Sequence, residues 1–143
     1  MQQKSRILFL CTGNSCRSQM AEGWANHLLS EHFRAYSAGI QKSGMDPLAV
    51  QVMSEAGIDI SHQDSKLIEE LPETEFEYVI TLCDHARESC PFFPGSSRKI
   101  HQGFEDPPML AVQSPSREEA LKHYRRVRDE IKEYIASLPQ ELL

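Results

Sequence analysis

The sequence predicts a three-layer α/β domain with a parallel central sheet, and three observations carry that prediction. Short apolar runs alternate with segments of helical periodicity, which is the pattern of repeated βαβ units. The 143 residues are enough for one domain with a proper core. Apolar residues make up 40% and charged residues 25%, as in an ordinary soluble globular domain. No linker, repeat or low-complexity stretch is apparent, so we expect a single domain over residues 1–143.

Four strands are predicted, at residues 6–11, 34–39, 77–82 and 98–102. The first is apolar throughout and should be central, because a parallel strand is buried on both faces. Cys11 ends this strand, and Cys83 directly follows the third. Functional groups in open parallel sheets gather outside the carboxyl ends of the strands, so the two thiols should lie at one edge.

Helices are predicted at residues 17–30, 48–56, 65–71 and 116–137. Trp24 falls on the apolar face of the first helix and is assigned to the core. Asp46 caps the second helix, Pro47 precedes it and Gly57 ends it. Residues 84–97 are expected to be irregular.

The last predicted helix has a capping box and one apolar face. Ser116 and Glu119 form the box. The basic run at residues 125–128 is interpreted as the solvated face, and His62 as a surface residue. The apolar face consists of Ala120, Tyr124, Val127, Ile131 and Ile135.

Charge and hydropathy exclude some functions. The net charge of −6 argues against a nucleic-acid binder, and an anionic substrate gains no attraction from it. Residues 1–5 are polar, and no run approaches the roughly 20 apolar residues of a membrane helix. We therefore expect a cytoplasmic protein that binds neither membrane nor nucleic acid, and nothing requires more than a monomer.

The chain has four cysteines, Cys11, Cys16, Cys83 and Cys90. In a protein of this class they do not form a structural disulfide framework. Their spacings, C-x4-C and C-x6-C, differ from the paired C-x2-C of a zinc ribbon. We expect no metal and no other cofactor.

The segment from Cys11 to Ser18, CTGNSCRS, joins the first strand to the first helix. Its N–H groups lack intrahelical partners and the helix dipole adds positive charge, so it should bind an anion. Gly13 is expected to supply backbone angles that a side chain forbids, and Asn14 to tolerate the left-handed region. Arg17 offers a planar fork to two oxygens. The predicted oxyanion-binding residues are Thr12, Gly13, Asn14, Ser15, Cys16 and Arg17.

The same segment carries a family resemblance. A thiol at a helix N-terminus beside an arginine ionises readily, so Cys11 is the predicted nucleophile. The pattern C-x5-R-S directly after the first strand resembles the phosphate loop of low-molecular-weight protein-tyrosine phosphatases. The longer string CTGNSCRSQMAEG is similar to the thioredoxin-coupled arsenate reductases of that family. The resemblance implies a flavodoxin-like sheet with strand order 2-1-3-4.

The resemblance also implies a reaction cycle. Arsenate, with phosphate or sulfate as competing oxyanions, forms an adduct with Cys11, and Cys83 then attacks Cys11 and releases arsenite. Cys90 attacks Cys83 in turn, and thioredoxin reduces the final Cys83–Cys90 disulfide. Asp106 is the implied general acid, and the family's pattern has Ser18 hydrogen-bond the Cys11 thiolate and Asn14 hold the loop.

Two departures from the family pattern concern specificity. Pro108 and Met109 stand where the phosphatases usually carry aromatic residues that grip a phosphotyrosine ring, which favours a small inorganic oxyanion. Some arsenate reductases bind potassium near the loop through a carboxylate. The matching position here is Lys66, which argues against a bound potassium ion, although the carboxylate of Asp64 is close in sequence.

One expectation concerns the geometry of residues 83–90. If this segment is helical, its ends lie roughly 10 Å apart along the axis. A disulfide needs Cα atoms about 4.4–6.8 Å apart. Forming the Cys83–Cys90 bond must therefore unwind or loop out the segment.

Three alternatives to arsenate reduction remain open. The first is a low-molecular-weight protein-tyrosine phosphatase acting through a Cys11 phosphocysteine. The second is a non-catalytic oxyanion or redox sensor, and the third is a metal-thiolate regulator.

Overall fold

The computed structural model of the chain describes residues 4–90 and 97–142. Its centre is a four-stranded sheet with the order β2-β1-β3-β4, in which every pair is parallel. This confirms the predicted fold class and strand order. The strands are β1 at Ser5–Cys11, β2 at Phe33–Gly39, β3 at Tyr78–Thr81 and β4 at Arg98–His101.

The strand register brings the functional segments to one edge. Cys11 lies opposite Gly39, and Thr81 lies opposite both Leu10 and His101. The segments that leave these carboxyl ends, residues 12–16, 40–46, 82–84 and 102–106, therefore start from the same edge of the sheet. The expectation that Cys11 and Cys83 share this edge is confirmed.

Five helices and a 3₁₀ turn complete the described residues. They are α1 at Arg17–Leu28, α2 at Pro47–Glu55, the 3₁₀ turn at Ile68–Glu70, α3 at Asp84–Glu88, α4 at Pro107–Val112 and α5 at Arg117–Leu142.

The core has two parts, one on each face of the sheet. Ile7 and Phe9 of β1 point to the larger part, which they share with α1, α2 and α5. Leu8 and Leu10 point to a smaller cluster that includes Ala86 of α3. This alternation buries both faces of β1, which accounts for its wholly apolar sequence.

Several local expectations hold. Asp46 caps α2, with its Oδ1 accepting from the Leu48 N–H at 3.0 Å. The Ser116 hydroxyl accepts from the Glu119 N–H at 3.2 Å. Trp24 is buried, as are all five residues of the predicted apolar face of α5. Arginines of the basic run form exposed ion pairs, for example Arg125 with Glu55 at 2.8 Å.

Other expectations need correction. The predicted helix at residues 65–71 is only a 3₁₀ turn, and part of the segment predicted as irregular is helix α3, which begins directly after Cys83. Residues 91–96 of that segment lie outside the described residues. Helix α4 was missed, although Asp106-Pro107 repeats the start signal of Asp46-Pro47.

Helix α5 runs past its predicted end and includes Pro139. Proline normally ends a helix, but tertiary contacts hold this last turn. Leu138 is fully buried, and the Tyr78 hydroxyl donates to the Leu142 carbonyl at 3.2 Å. Across residues 4–90 and 97–142, no helix has the length and apolarity needed to cross a bilayer.

Candidate active site

The loop between β1 and α1 is anchored by its carbonyl groups. Every carbonyl from Cys11 to Ser15 accepts a hydrogen bond from a donor outside the loop. Because the N–H and C=O of a peptide point in opposite directions, these anchors turn the N–H groups of residues 12–16 to the other side, where they can converge on an anion. The donors are the N–H groups of Ile40, Gln41, Ser43 and Asp46, the Ser65 hydroxyl and the Gln19 amide.

Asn14 holds the centre of the loop in the predicted left-handed conformation, with φ of 48°. It is completely buried, and its side chain is saturated. The amide nitrogen donates to Ser18 at 2.8 Å and to Ser37 at 3.0 Å. The amide oxygen accepts from the Lys66 N–H at 2.8 Å and from Gln19 at 3.0 Å. These four bonds offset the strain of the backbone angle.

Gly13 is required for a different reason from the one expected. Positive φ within the described residues is confined to Asn14, Gly44 and Gly57, so Gly13 needs no special backbone angle. A Cβ atom at Gly13 would instead collide with the Ser43 side chain. The glycine allows the segment after β2 to approach the loop closely, and this contact could not be seen in the sequence.

Cys11 and Ser18 form a buried pair, with 2.9 Å between Sγ and Oγ. The Ser18 oxygen already accepts from the Asn14 amide. Its own proton is therefore available to donate to the Cys11 sulfur, which suits a thiolate better than a thiol. The expected contacts of Ser18 and Asn14 are present in the structure.

Arg17 lies between the loop and the segment after β4. Its side chain is buried, donates to the Phe104 carbonyl at 3.1 Å and lies 3.6 Å from the Asp106 carboxylate. Asp106 precedes α4 without making a side-chain capping hydrogen bond, and it lines a cavity at this edge of the sheet. That cavity measures about 420 Å³ and is lined by Arg17, Cys83, Asp84, Gly103, Phe104, Glu105 and Asp106.

Cys83 reaches the loop from β3. Its sulfur lies 3.3 Å from the Thr12 hydroxyl and accepts from the Ala86 N–H at 3.4 Å. Thr12 directly follows Cys11 in the chain, so Cys83 contacts the residue next to Cys11. Sequence reasoning placed Cys83 at the correct edge but did not identify Thr12 as its neighbour.

Cys90 does not line the cavity. It lies two residues beyond the end of α3, half-buried against the smaller core cluster. This burial raises the pKa of its thiol. None of the four cysteines, all of which lie within the described residues, forms a disulfide.

Cys16, the last loop residue, is chemically unlike Cys11. It is buried, and burial followed by the nearby Asp46 charge raises the pKa of its thiol. The raised pKa favours the protonated thiol at Cys16.

A partly buried polar network around Asn14 and Ser37 was not anticipated. The Ser37 hydroxyl donates to Glu22 at 2.6 Å. The Lys66 ammonium donates to the carbonyls of Ser37 and Asp64, at 3.2 and 2.7 Å, and lies 3.9 Å from Glu22. Burial raises the pKa of Glu22, although Ser37 and Lys66 oppose this. These residues come from distant segments, so no local pattern identifies them.

One minor expectation can be compared with the described residues. His62 is exposed, as expected of a surface residue. Within residues 4–90 and 97–142, no three His, Cys, Asp or Glu side chains are arranged to hold a metal ion.

Comparisons with known proteins agree with this geometry. Residues 6–143 match the family described as low molecular weight phosphotyrosine protein phosphatase. The chain is 48% identical over 128 residues to an arsenate reductase of Halalkalibacterium halodurans, covering 90% of each protein. It is also 48% identical over 125 residues to an arsenate reductase of Bacillus subtilis, covering 87% of this chain and 88% of that protein.

Solved structures show the same likeness. An arsenate reductase in the phosphate binding state aligns with a TM-score of 0.76 at 33% identity, over 97% of this chain and 99% of the other. A low molecular weight protein tyrosine phosphatase from T. tengcongensis aligns with a TM-score of 0.75 at 29% identity, over 97% of this chain and all of the other. The fold of this chain is therefore similar both to a protein named as an arsenate reductase and to one named as a tyrosine phosphatase.

Proposed function

Since this chain belongs to the low molecular weight phosphotyrosine protein phosphatase family, we propose that it uses the family's loop to reduce arsenate to arsenite. The observation that carries the proposal is the contact between Cys83 Sγ and Thr12 Oγ1, at 3.3 Å. It brings a second thiol against the residue that follows Cys11. A hydrolytic phosphatase has no use for that thiol, whereas reduction of As(V) to As(III) requires two electrons, which a pair of thiols can supply.

The first proposed step forms the arsenic–sulfur bond. The Cys11 thiolate attacks the arsenic of arsenate held by the loop N–H groups and Arg17. An As–O bond breaks, and the oxygen leaves as water after taking a proton from Asp106. Arg17, 3.6 Å from the Asp106 carboxylate, is close enough to bind the oxyanion beside this acid. Arsenic remains As(V) at this stage.

The second proposed step transfers the electrons. Cys83 attacks the Cys11 sulfur as a thiolate, so that the S–S bond forms while the S–As bond breaks. The electron pair of the broken bond stays on arsenic, which leaves as arsenite, As(III). The two cysteines are oxidised to a disulfide, which balances the reduction of arsenic.

The third proposed step regenerates Cys11. The Cys90 thiolate attacks Cys83, the Cys83–Cys90 disulfide forms, and Cys11 leaves as a thiolate. Thioredoxin then reduces the new disulfide through its own dithiol. The net reaction converts arsenate and reduced thioredoxin to arsenite, oxidised thioredoxin and water.

We expect helix α3, which lies between the two cysteines at Asp84–Glu88, to change in this third step. The seven residue steps from Cys83 to Cys90 span roughly 10 Å if continued at helical rise, which is too far for a disulfide. Four of the five α3 residues are polar or charged, and Ala86 is its one buried residue. Unwinding therefore sacrifices little apolar burial and carries Cys90 out of its half-buried position to an outside reductant.

The second candidate function is protein-tyrosine phosphatase activity through a Cys11 phosphocysteine. The loop, Arg17 and Asp106 would support it equally well. Met109 argues against an aryl substrate. It is 65% exposed on α4, and it stands where the phosphatases usually carry an aromatic residue that contacts the phosphotyrosine ring. Weak hydrolysis of aryl phosphates is nevertheless expected, since the loop is common to both activities.

The deciding experiment measures NADPH consumption with arsenate, thioredoxin and thioredoxin reductase. Wild type should turn over repeatedly, and Cys83→Ser and Cys90→Ser should not. Hydrolysis of an aryl phosphate by the same variants serves as the control, because it reports an intact loop. Arsenate turnover that survives both substitutions would reject the three-thiol cycle, and hydrolysis without any arsenate turnover would make this protein a phosphatase.

A further inference from the structure

A buried hydrogen bond joins the last helix to the edge of the loop. Tyr124 lies on α5 and is 2% exposed. Its hydroxyl donates to Asp46 Oδ2 at 2.6 Å, since a carboxylate can only accept. Burial and the Asp46 charge both raise the pKa of Tyr124, so the donor proton is retained.

Asp46 in turn anchors the C-terminal end of the oxyanion loop. Its backbone N–H donates to the Ser15 carbonyl at 3.1 Å. That carbonyl belongs to the Ser15–Cys16 peptide, whose N–H faces the anion side. The other anchors of the loop come from residues 40–43, from Gln19 and from Ser65. Asp46 is therefore the residue whose position sets the orientation of this peptide.

Both carboxylate oxygens of Asp46 are engaged. Oδ1 caps α2 through the Leu48 N–H, and Oδ2 accepts from Tyr124. If the Tyr124 hydroxyl were removed, the partly buried Oδ2 of Asp46 would lose this hydrogen-bond donor. A carboxylate in this state moves toward water or toward another donor, and its own backbone N–H moves with it.

We propose that Tyr124 is a positioning residue for oxyanion binding, which acts through Asp46 to hold the Ser15–Cys16 peptide with its N–H toward the anion. The nucleophile is held separately, at the other end of the loop, by Ser18 and Asn14. Loss of the Tyr124 hydroxyl should therefore weaken binding of the oxyanion and leave the reactivity of Cys11 intact.

Tyr134 on the same helix provides a matched control. Its hydroxyl is buried and has no hydrogen-bond partner within the described part of the chain. Tyr124→Phe and Tyr134→Phe therefore remove the same atom from the same helix. Only the first substitution breaks a bond that leads to the loop.

The test measures the affinity of the full, reduced protein for inorganic phosphate by calorimetry, with the alkylation rate of Cys11 by iodoacetamide in parallel. Tyr124→Phe should raise the phosphate Kd about tenfold, as expected from loss of a hydrogen bond to a charged group. It should leave the alkylation rate of ligand-free protein within about twofold, and Tyr134→Phe should leave both quantities within about twofold. An unchanged phosphate Kd in Tyr124→Phe would overturn the proposal, and so would an equal rise in both variants.

Asp46→Asn keeps the proposal testable if Tyr124→Phe folds poorly. An asparagine can cap α2 through its oxygen and donate from its amide to the Tyr124 hydroxyl. This reversed bond should hold residue 46 partly in place, so phosphate should bind more tightly to this variant than to Asp46→Ala. Asp46→Ala loses both bonds and should weaken phosphate binding about tenfold or more. Equal losses in the asparagine and alanine variants would contradict a positioning role.

Because phosphate binding requires neither Cys83, Cys90 nor thioredoxin, these results are independent of the proposed reduction cycle.

Discussion

Ser18→Ala tests how the structure prepares the nucleophile. In wild type the Ser18 hydroxyl accepts from the Asn14 amide at 2.8 Å and lies 2.9 Å from the Cys11 sulfur. This arrangement leaves the Ser18 proton directed at sulfur. The alanine variant removes that donor from the buried Cys11 sulfur.

The magnitude follows from the kind of bond that is lost. A hydrogen bond to a charged group contributes about 1.5–3 kcal/mol. Since about 1.4 kcal/mol corresponds to a tenfold change in rate, the reactivity of Cys11 should fall roughly 10- to 100-fold. Both atoms are buried, so water cannot readily replace the missing donor.

Ser37→Ala is the matched control. Ser37 accepts from the same Asn14 nitrogen, at 3.0 Å, but it makes no hydrogen bond to Cys11. We would measure alkylation of Cys11 by iodoacetamide and hydrolysis of an aryl phosphate. Ser18→Ala should slow both by the factor above, and Ser37→Ala should change alkylation less than about threefold. Equal losses in the two variants would refute a direct Ser18–sulfur interaction and assign the effect to loop shape.

Three further predictions concern stability and binding. Gly13→Ala should weaken phosphate binding and lower stability by about 1–3 kcal/mol, and adding Ser43→Gly, which removes the colliding side chain, should restore both; calorimetry and thermal melts check this. Glu22→Gln should stabilise the fold most at neutral pH. Burial raises the folded-state pKa of Glu22 from 4.5, so the ionised Glu22 carboxylate destabilises the fold at neutral pH. The stability advantage of the Glu22→Gln variant over wild type should therefore vanish in thermal melts taken toward pH 4, where the carboxyl is protonated. Glu55, whose pKa Arg125 lowers to about 2, contributes stability above pH 4.5 that should be lost as the pH falls toward 2. Glu55→Gln should abolish this part of the acid dependence, and an unchanged pH profile would contradict it.

The parts of the fold that the sequence predicted depend on local or strictly periodic signals. β1 is apolar at every position, and only a central parallel strand buries both of its faces. Asp46-Pro47 and Ser116 with Glu119 mark helix starts through bonds that span two or three residues. The loop after β1 follows the same logic, since glycine, asparagine and arginine at fixed spacing predict an anion site.

The errors occurred where distant contacts outweigh local preference. Pro139 marks a helix end, yet α5 continues to Leu142 because Leu138 is fully buried and Tyr78 bonds the last turn. Gly13 was assigned a backbone role, yet the Ser43 side chain is what excludes a Cβ. α3 was missed because its residues have no apolar periodicity and it is only one turn long.

The sequence by itself therefore determined the βαβ order, the position of the loop between β1 and α1, and the strand-end location of Cys83, because each depends on neighbours along the chain. Only the tertiary structure decided which groups serve that loop. Thr12 contacts Cys83, Lys66 and Glu22 lie beneath Asn14, and Tyr124 reaches the loop through Asp46. These partners are far apart in sequence, so their contacts depend on the packing of helices against the sheet, which no local pattern specifies.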